Sequence, residues 1–267
     1  MTSAATVLGW WDHPADGPTN MAADLALVDE AGRRGGLVLR CYGWSEPTVS
    51  LGAFQPLAGA ETHAGIAGLP VVRRPSGGGA IVHGTDLTYA AAVPRDHPWA
   101  SPPQALYDAL HAAMVDVLAE HGVVARLHVA EVAGTGDAAG EPYLCFDRRA
   151  PGDVVAARPG RPPAATDPKI MGSAQRRLAG TVLQHGSLLL RANPAVRGDA
   201  VHAGIAELGA EAAVRQPRRL AVAWLERLAR RLGAEPAWEA DFPSSLAAAE
   251  LESGVARFRE SRWLRRY

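Results

Sequence analysis

Three consecutive glycines stand inside the stretch Arg73-Arg74-Pro75-Ser76-Gly77-Gly78-Gly79-Ala80-Ile81-Val82-His83, with apolar runs on both sides. Leu69, Val71 and Val72 precede them, and Ala80, Ile81 and Val82 follow, so the pattern predicts two strands joined by a bend that carries no side chains. Glycine is favoured where φ must turn positive or where another group must lie directly on the main chain. Arg73, Arg74 and Ser76 put donors at one rim of that bare surface, and His83 puts one at the other. A hairpin tip with incidental charges is the plainer reading. The Arg-Arg-x-Ser before the glycines and the histidine after them favour a loop that lets a ligand lie against the backbone.

Around this loop the periodicities predict an α+β chain, with hairpin-like strands and helices segregated around them. A helix is expected over residues 20–34, with Asn20 as a possible cap and Gly35-Gly36 as its stop. Strands follow at 37–44 and 48–52, a short helix at 57–67, and strands at 71–73 and 86–93. Pro102 and Pro103 open a helix that ends near Gly122, and 123–129 reads as a strand. Residues 134–140 form a small polar loop, and 148–168, dense in Pro, Gly and Arg, form a long surface loop that carries one strand at its apolar break, Val154-Val155-Ala156-Ala157. Order returns at Lys169, a strand covers 181–190, and helices cover 218–232 and 244–266, the last capped by Ser244 or Ser245. At 267 residues this fits one catalytic domain, with a core over about 20–190 and C-terminal helices over 191–267.

The charges nearly cancel, at a formal net of −1, so no overall field argues for nucleic acid or a membrane surface. The basic run Arg257, Arg259, Arg262, Arg265 and Arg266 reads first as a solvated helix face. No apolar stretch approaches the ~20 residues needed to span a bilayer, and no signal-peptide pattern opens the chain. The expectation is a soluble, cytoplasmic protein. Two cysteines, Cys41 and Cys145, make no disulfide framework. Cys41 alternates with Leu37 and Leu39 and is expected to be an inert packing thiol.

Cys145, at a loop or strand end, is the candidate nucleophile, since a nearby cation would stabilise its reactive thiolate. Lys169 could be that cation and could also carry the proton in an acyl transfer. Spacing alone leaves Cys145 equally readable as a buried thiol and Lys169 more simply as a solvated side chain. His83 and His185 flank glycines, but no third ligand at metal spacing accompanies them, so hydrogen-bonding or core roles are preferred over zinc. No Gly-x-Ser-x-Gly elbow and no Walker-type phosphate loop occurs.

Several blocks occur in one order: Trp44-x-x-Pro47-x-x-Ser50-Leu51-Gly52-x-x-Gln55, the glycine stretch to His83, Leu87-Thr88-Tyr89, Cys145-Phe146-Asp147, Lys169-Ile170-x-Gly172-Ser173-Ala174-Gln175-Arg176, and Gln184-His185-Gly186-Ser187-Leu188-Leu189. Together they resemble the lipoate-protein ligase and octanoyltransferase branch of the biotin/lipoyl ligase superfamily. The Cys-Phe-Asp block resembles the cysteine-dependent octanoyltransferases. The resemblance implies a mixed, largely antiparallel sheet flanked by helices, and catalysis by Cys145 and Lys169. It also implies substrate binding by Arg73, Ser76, Gly77, Gly78, Gly79, His83, Gly172, Ser173, Ala174, His185 and Gly186. The implied donor is acyl carrier protein, and the acceptor is a lysine of a lipoyl domain or of glycine-cleavage H protein, with no cofactor. ATP and Mg enter only if the chain is instead an acyl-adenylate-forming ligase; a non-catalytic acyl-binding protein is the third reading. The covalent mechanism requires the sulfur of Cys145 and the ammonium of Lys169 to meet.

Overall fold

The computed structural model describes residues 7–129, 142–178, 180–239 and 248–267. The expected loop at 134–140 and the expected caps Ser244 and Ser245 lie outside those residues. The chain begins with β1 (Val7–Trp11), α1 (Gly17–Arg34), β2 (Leu37–Tyr42), β3 (Thr48–Leu51) and α2 (Ala58–Thr62). The glycine loop separates β4 (Val71–Arg73) from β5 (Ile81–His83), and β6 (Asp86–Pro94), α3 (Pro103–Glu120) and β7 (Ala125–Leu127) follow. Then come β8 (Val154–Ala156), β9 (Lys169–Arg177), β10 (Thr181–Leu189), α4 (Glu211–Val214), α5 (Pro217–Leu232), β11 (Pro236–Glu239), α6 (Ala248–Arg259) and α7 (Ser261–Leu264).

Among the described residues the strands make two sheets. The larger has the order β11-β1-β2-β6-β10-β9-β8-β7 and the smaller β4-β3-β5. Pairs β11-β1, β1-β2 and β3-β4 are parallel and the rest antiparallel, which is the mixed, largely antiparallel arrangement expected. Strand alternation sorts the core into two layers. Leu37, Leu39, Cys41, Leu87, Tyr89 and Ala91 pack with Leu110, Met114, Trp224 and Leu228 of α3 and α5. Val38, Tyr42, Ala90 and Ala92 pack with Met21, Leu27, Phe258 and Trp263 on the opposite face. Cys41 is fully buried, and that burial pushes its thiol well above the ordinary pKa, as an inert packing group requires.

Two expectations need correcting. Asn20 does not cap α1: Asp16 does, accepting from Thr19 N at 3.0 Å, with Pro18 in the first turn. Asn20 sits one turn inside, buried, where its amide binds Ala15 O and Gly43 O and its oxygen accepts from Arg40. The C-terminal part is not helical throughout, because β11 returns to the sheet and pairs with β1. Both of those strands escape a sequence reading because they are short and exist only through their non-local pairing.

Candidate active site

Ala80 anchors the site. Its N–H donates to Tyr143 O at 2.9 Å and its carbonyl accepts from Cys145 N at 2.8 Å, so the segment bearing the cysteine is threaded onto the end of the glycine loop. Cys145 then opens a single 3-10 turn, Cys145–Asp147. The loop lies so close that a Cβ on Gly79 would come within 2.8 Å of Cys145 N, and one on Gly52 within 2.0 Å of Gly78 O. Gly78 has φ 88, the left-handed region that glycine tolerates. These glycines serve backbone-on-backbone contact.

Lys169, the first residue of β9, is buried, and its Nζ lies 3.6 Å from Cys145 Sγ. The ammonium also donates to Cys145 O at 3.1 Å and Arg148 O at 3.3 Å and is paired with Asp153 Oδ2 at 2.9 Å. Asp153 is fully buried, and it accepts further from Tyr107 Oη at 2.5 Å and Ala150 N at 2.7 Å. The structure therefore brings together the two groups on which the covalent reading depends, and adds a carboxylate that sequence reasoning did not find. Asp153 stands in a Pro- and Gly-rich stretch beside Gly152, with no motif to mark it.

A narrow cavity opens against Cys145. Thr88, His185 and Gly186 reach it from the larger sheet, Ser50, Ile81 and His83 from the smaller. Ser173 and Ala174 of β9, Gly78 and Arg74 of the loop, and Met21, Tyr42 and Trp44 complete the wall. Of the residues expected here, Cys145, Gly78, His83, Ser173, Ala174, His185 and Gly186 line one space. Ser76, Gly77 and Gly79 support it: Ser76 bonds His185, while the carbonyls of Gly77 and Gly79 each accept from Arg74 at 2.7 Å.

Two further residues expected to bind substrate neither line the cavity nor brace its wall in that way. Arg73 is fully buried and points the other way, donating to Gly52 O, Gln55 O and Leu264 O, so it ties the chain's C-terminal turn to the start of the loop. Gly172 faces the lysine: a Cβ there would come within 2.4 Å of Lys169 Cε. Its glycine makes room for the catalytic candidate's own stem. Arg74, not Arg73, is the arginine at the wall, and burial lowers its pKa to about 10.

Two histidines are held rigidly at the wall. His83 binds Asp86 through Nδ1 and Ser50 through Nε2, both at 2.8 Å, and stacks on Trp44 with ring centroids 4.0 Å apart. Burial works against the Asp86 charge, yet His83 and hydrogen bonds from Ser187 and Thr88 hold its carboxyl down at about 2. His185 is set between Asp24 and Ser76, and its burial outweighs the carboxylate, lowering its pKa and keeping the imidazole neutral. Trp44, Ser50 and Thr88 all stood in the motif blocks; Asp24 lay on a helix with nothing to single it out.

Behind Ser173 lies a third histidine. Fully buried His111 binds Gly152 O through Nδ1 at 2.7 Å and Ser173 Oγ through Nε2 at 2.6 Å. The carbonyl can only accept, so Nδ1 carries the proton and Nε2 accepts from Ser173. Desolvation lowers its pKa to about 4. The unfolded chain, with histidine near ~6.5, therefore binds this proton more readily between those two values. The stability contributed by neutral His111 is complete above pH ~6.5 and is lost as pH falls through about 4, to a total of roughly 3 kcal/mol. Denaturant titrations at pH 7 and pH 4.5 should show that loss, and His111→Gln should flatten it; an unchanged slope in the variant refutes the assignment.

The same architecture recurs in solved structures. It is similar to lipoate-protein ligase A bound with ATP, with a TM-score of 0.65 at 18% identity over 97% of this chain and 98% of that one. It is also similar to the bi-partite lipoate protein ligase of Thermoplasma acidophilum, with a TM-score of 0.62 at 18% identity over 98% and 96% of the two chains. The fold is thus that of the lipoate protein ligases. The chain belongs to the lipoyl protein ligase A/B catalytic domain family, whose profile matches residues 16–239. By sequence it is similar to octanoyltransferase LipM of Moorella thermoacetica, 37% identical over 184 residues that cover 67% of this chain and 63% of the relative. It is 36% identical over 182 residues to octanoyltransferase LipM of Symbiobacterium thermophilum, covering 65% of this chain and 61% of the relative. The matched regions thus span less than two thirds of these relatives. Among the described residues no helix is long and apolar enough to cross a membrane.

Proposed function

We propose that the chain is an octanoyltransferase of lipoate biosynthesis. It takes a medium-chain acyl group from acyl carrier protein as a thioester on Cys145 and passes it to a lysine of a lipoyl domain or glycine-cleavage H protein. The observation that carries this reading is the 3.6 Å approach of Lys169 Nζ to Cys145 Sγ beside a glycine-walled cavity. An ammonium at that distance stabilises a thiolate. The sequence relatives named octanoyltransferases support the same reading.

In the first half-reaction the Cys145 thiolate attacks the thioester carbonyl, the bond to the carrier's sulfur breaks, and that sulfur leaves with a proton from Lys169. In the second, a neutral acceptor amine attacks the acyl-enzyme. The amide forms, the bond to Cys145 Sγ breaks, and the surplus proton returns to Lys169. The cycle closes with thiolate and ammonium restored, and no ATP is consumed. Glycine backbone and the apolar surfaces of Met21, Trp44, Ile81 and Ala174 suit an alkyl chain.

An ATP- and Mg-dependent ligase working through an acyl-adenylate has no need of a thiol held against a lysine. The two are separated by incubation with octanoyl-loaded acyl carrier protein without ATP, followed by intact-mass measurement. The wild type should gain one octanoyl group and Cys145→Ala none. A protein that stays unmodified, yet joins free octanoate to a lipoyl domain when ATP is added, is a ligase.

A further inference from the structure

We propose that the face beside the glycine loop formed by Arg176, Arg257 and Arg266 around the exposed rings of Phe54 and Tyr267 docks the acyl donor as an acidic carrier protein. The inference rests on the acyl-transfer reading and adds to it the surface that receives the donor.

The basic run near the end of the chain is not a uniform solvated face. Arg259, Arg262 and Arg265 have carboxylate neighbours in Asp16, Glu260 and Glu61. Arg176 and Arg266 have none among the described residues, and Arg257 shares with Arg262 the field of Glu260 without an ion pair of its own. Arg257 and Arg266 both lie over the ring of Trp263, at 4.5 and 3.8 Å from its centroid, so two like charges are held to one small surface. Burial above all pulls the Arg266 guanidinium below its ordinary pKa; Tyr267 opposes that, and the charges of Arg176 and Arg257 add to it. Gathering three cations with a single nearby carboxylate, Glu260, which Arg262 also uses, costs Coulomb energy that an approaching anionic surface relieves.

The cluster is fastened to the site. Arg266 donates to Ala53 O at 3.3 Å, and Ala53 N donates to Ser76 O at 2.7 Å. Arg176 donates to Pro75 O at 2.9 Å from the same strand whose Ala174 lines the cavity. Two cations thus grip the loop that walls the pocket. Between them Phe54 is 70% exposed and packs edge-on against Tyr267, itself 55% exposed, at 5.4 Å. Aromatic rings and arginines left in water together have the composition of an interface centre. Charge complementarity selects a protein face rich in carboxylates. Its position beside the pocket suits the carrier that must present a thioester there.

The test uses the charge-reversed pair Arg257→Glu/Arg266→Glu, neither residue being part of the cavity. Binding is measured by titrating octanoyl carrier protein whose acyl group is held through an unreactive amide, and acylation is measured with a soluble octanoyl thioester. The pair should weaken carrier binding about 10-fold or more and remove its salt dependence, as reversal of rim charges does. Acylation by the soluble thioester, compared below both thermal midpoints, should fall much less than carrier binding does, since Arg266 loses only its bond to Ala53 O near the site. Unchanged carrier binding overturns the proposal, as does a loss confined to the lipoyl-domain acceptor. If the wild type is never acylated by the soluble thioester, the acyl-enzyme reading fails, and the binding titration still decides the surface.

Discussion

Cys145→Ser is expected to lower the rate of acyl transfer by about 10³-fold or more, which is roughly 4 kcal/mol of transition-state stabilisation. A serine hydroxyl ionises far less readily than a thiol, and the Lys169 ammonium at 3.6 Å from Sγ matches a sulfur anion that the variant cannot supply. The substitution removes one polarisable atom from a buried position and touches no hydrogen bond that holds the segment, since Cys145 is anchored through its main chain to Ala80. Fold and affinity for an octanoyl chain should therefore survive. The measurement is single-turnover transfer from octanoyl carrier protein to a lipoyl domain, alongside a thermal melt and octanoate binding. Transfer at an undiminished rate in a folded Cys145→Ser protein would falsify the covalent route.

Asp153→Asn should cost both stability and turnover. Asp153 and Lys169 form a buried ion pair at 2.9 Å with side chains almost wholly removed from water. Breaking such a pair from one side leaves an uncompensated buried charge, at a cost of about 3–5 kcal/mol. The carboxylate also fixes where the ammonium sits, because it is itself held by Tyr107 and Ala150. With that tether gone, a small displacement of Nζ from Cys145 should lower kcat by about 10²-fold, with KM for the carrier little changed. A second variant separates the two effects. Asp153→Asn combined with Lys169→Met removes both charges, so stability should recover while activity stays lost. A double variant as unstable as the single one, or an Asp153→Asn enzyme with full kcat, rules out the positioning role.

Much of this molecule is legible along the chain. The alternation of Leu37, Leu39 and Cys41 predicts a strand with those three on one packed face, and the two core layers divide on that alternation, with Val38 and Tyr42 on the other side. The glycines next to Pro75 and Ser76 predict a backbone surface, and Gly52, Gly78 and Gly79 prove to be in close backbone contact. Each of these is a local property, encoded by residue type within a few positions, and the order of the motif blocks needs no coordinates.

What the chain does not declare is where charged side chains point. Arg73 and Arg74 are adjacent and chemically alike, yet strand pleating sends them to opposite sides, one to the C-terminal turn and the other to the cavity. Gly172 reads as a ligand surface and turns out to be the space that Lys169 occupies. Residue types in order determined by themselves the glycine loop, the sheet-forming segments other than β1 and β11, and the candidacy of Cys145 and Lys169. Only the tertiary structure decided that Lys169 reaches Cys145 with Asp153 behind it. Close approach between distant segments is set by how the two sheets pack, and a buried charge needs its partner whichever stretch of chain supplies it.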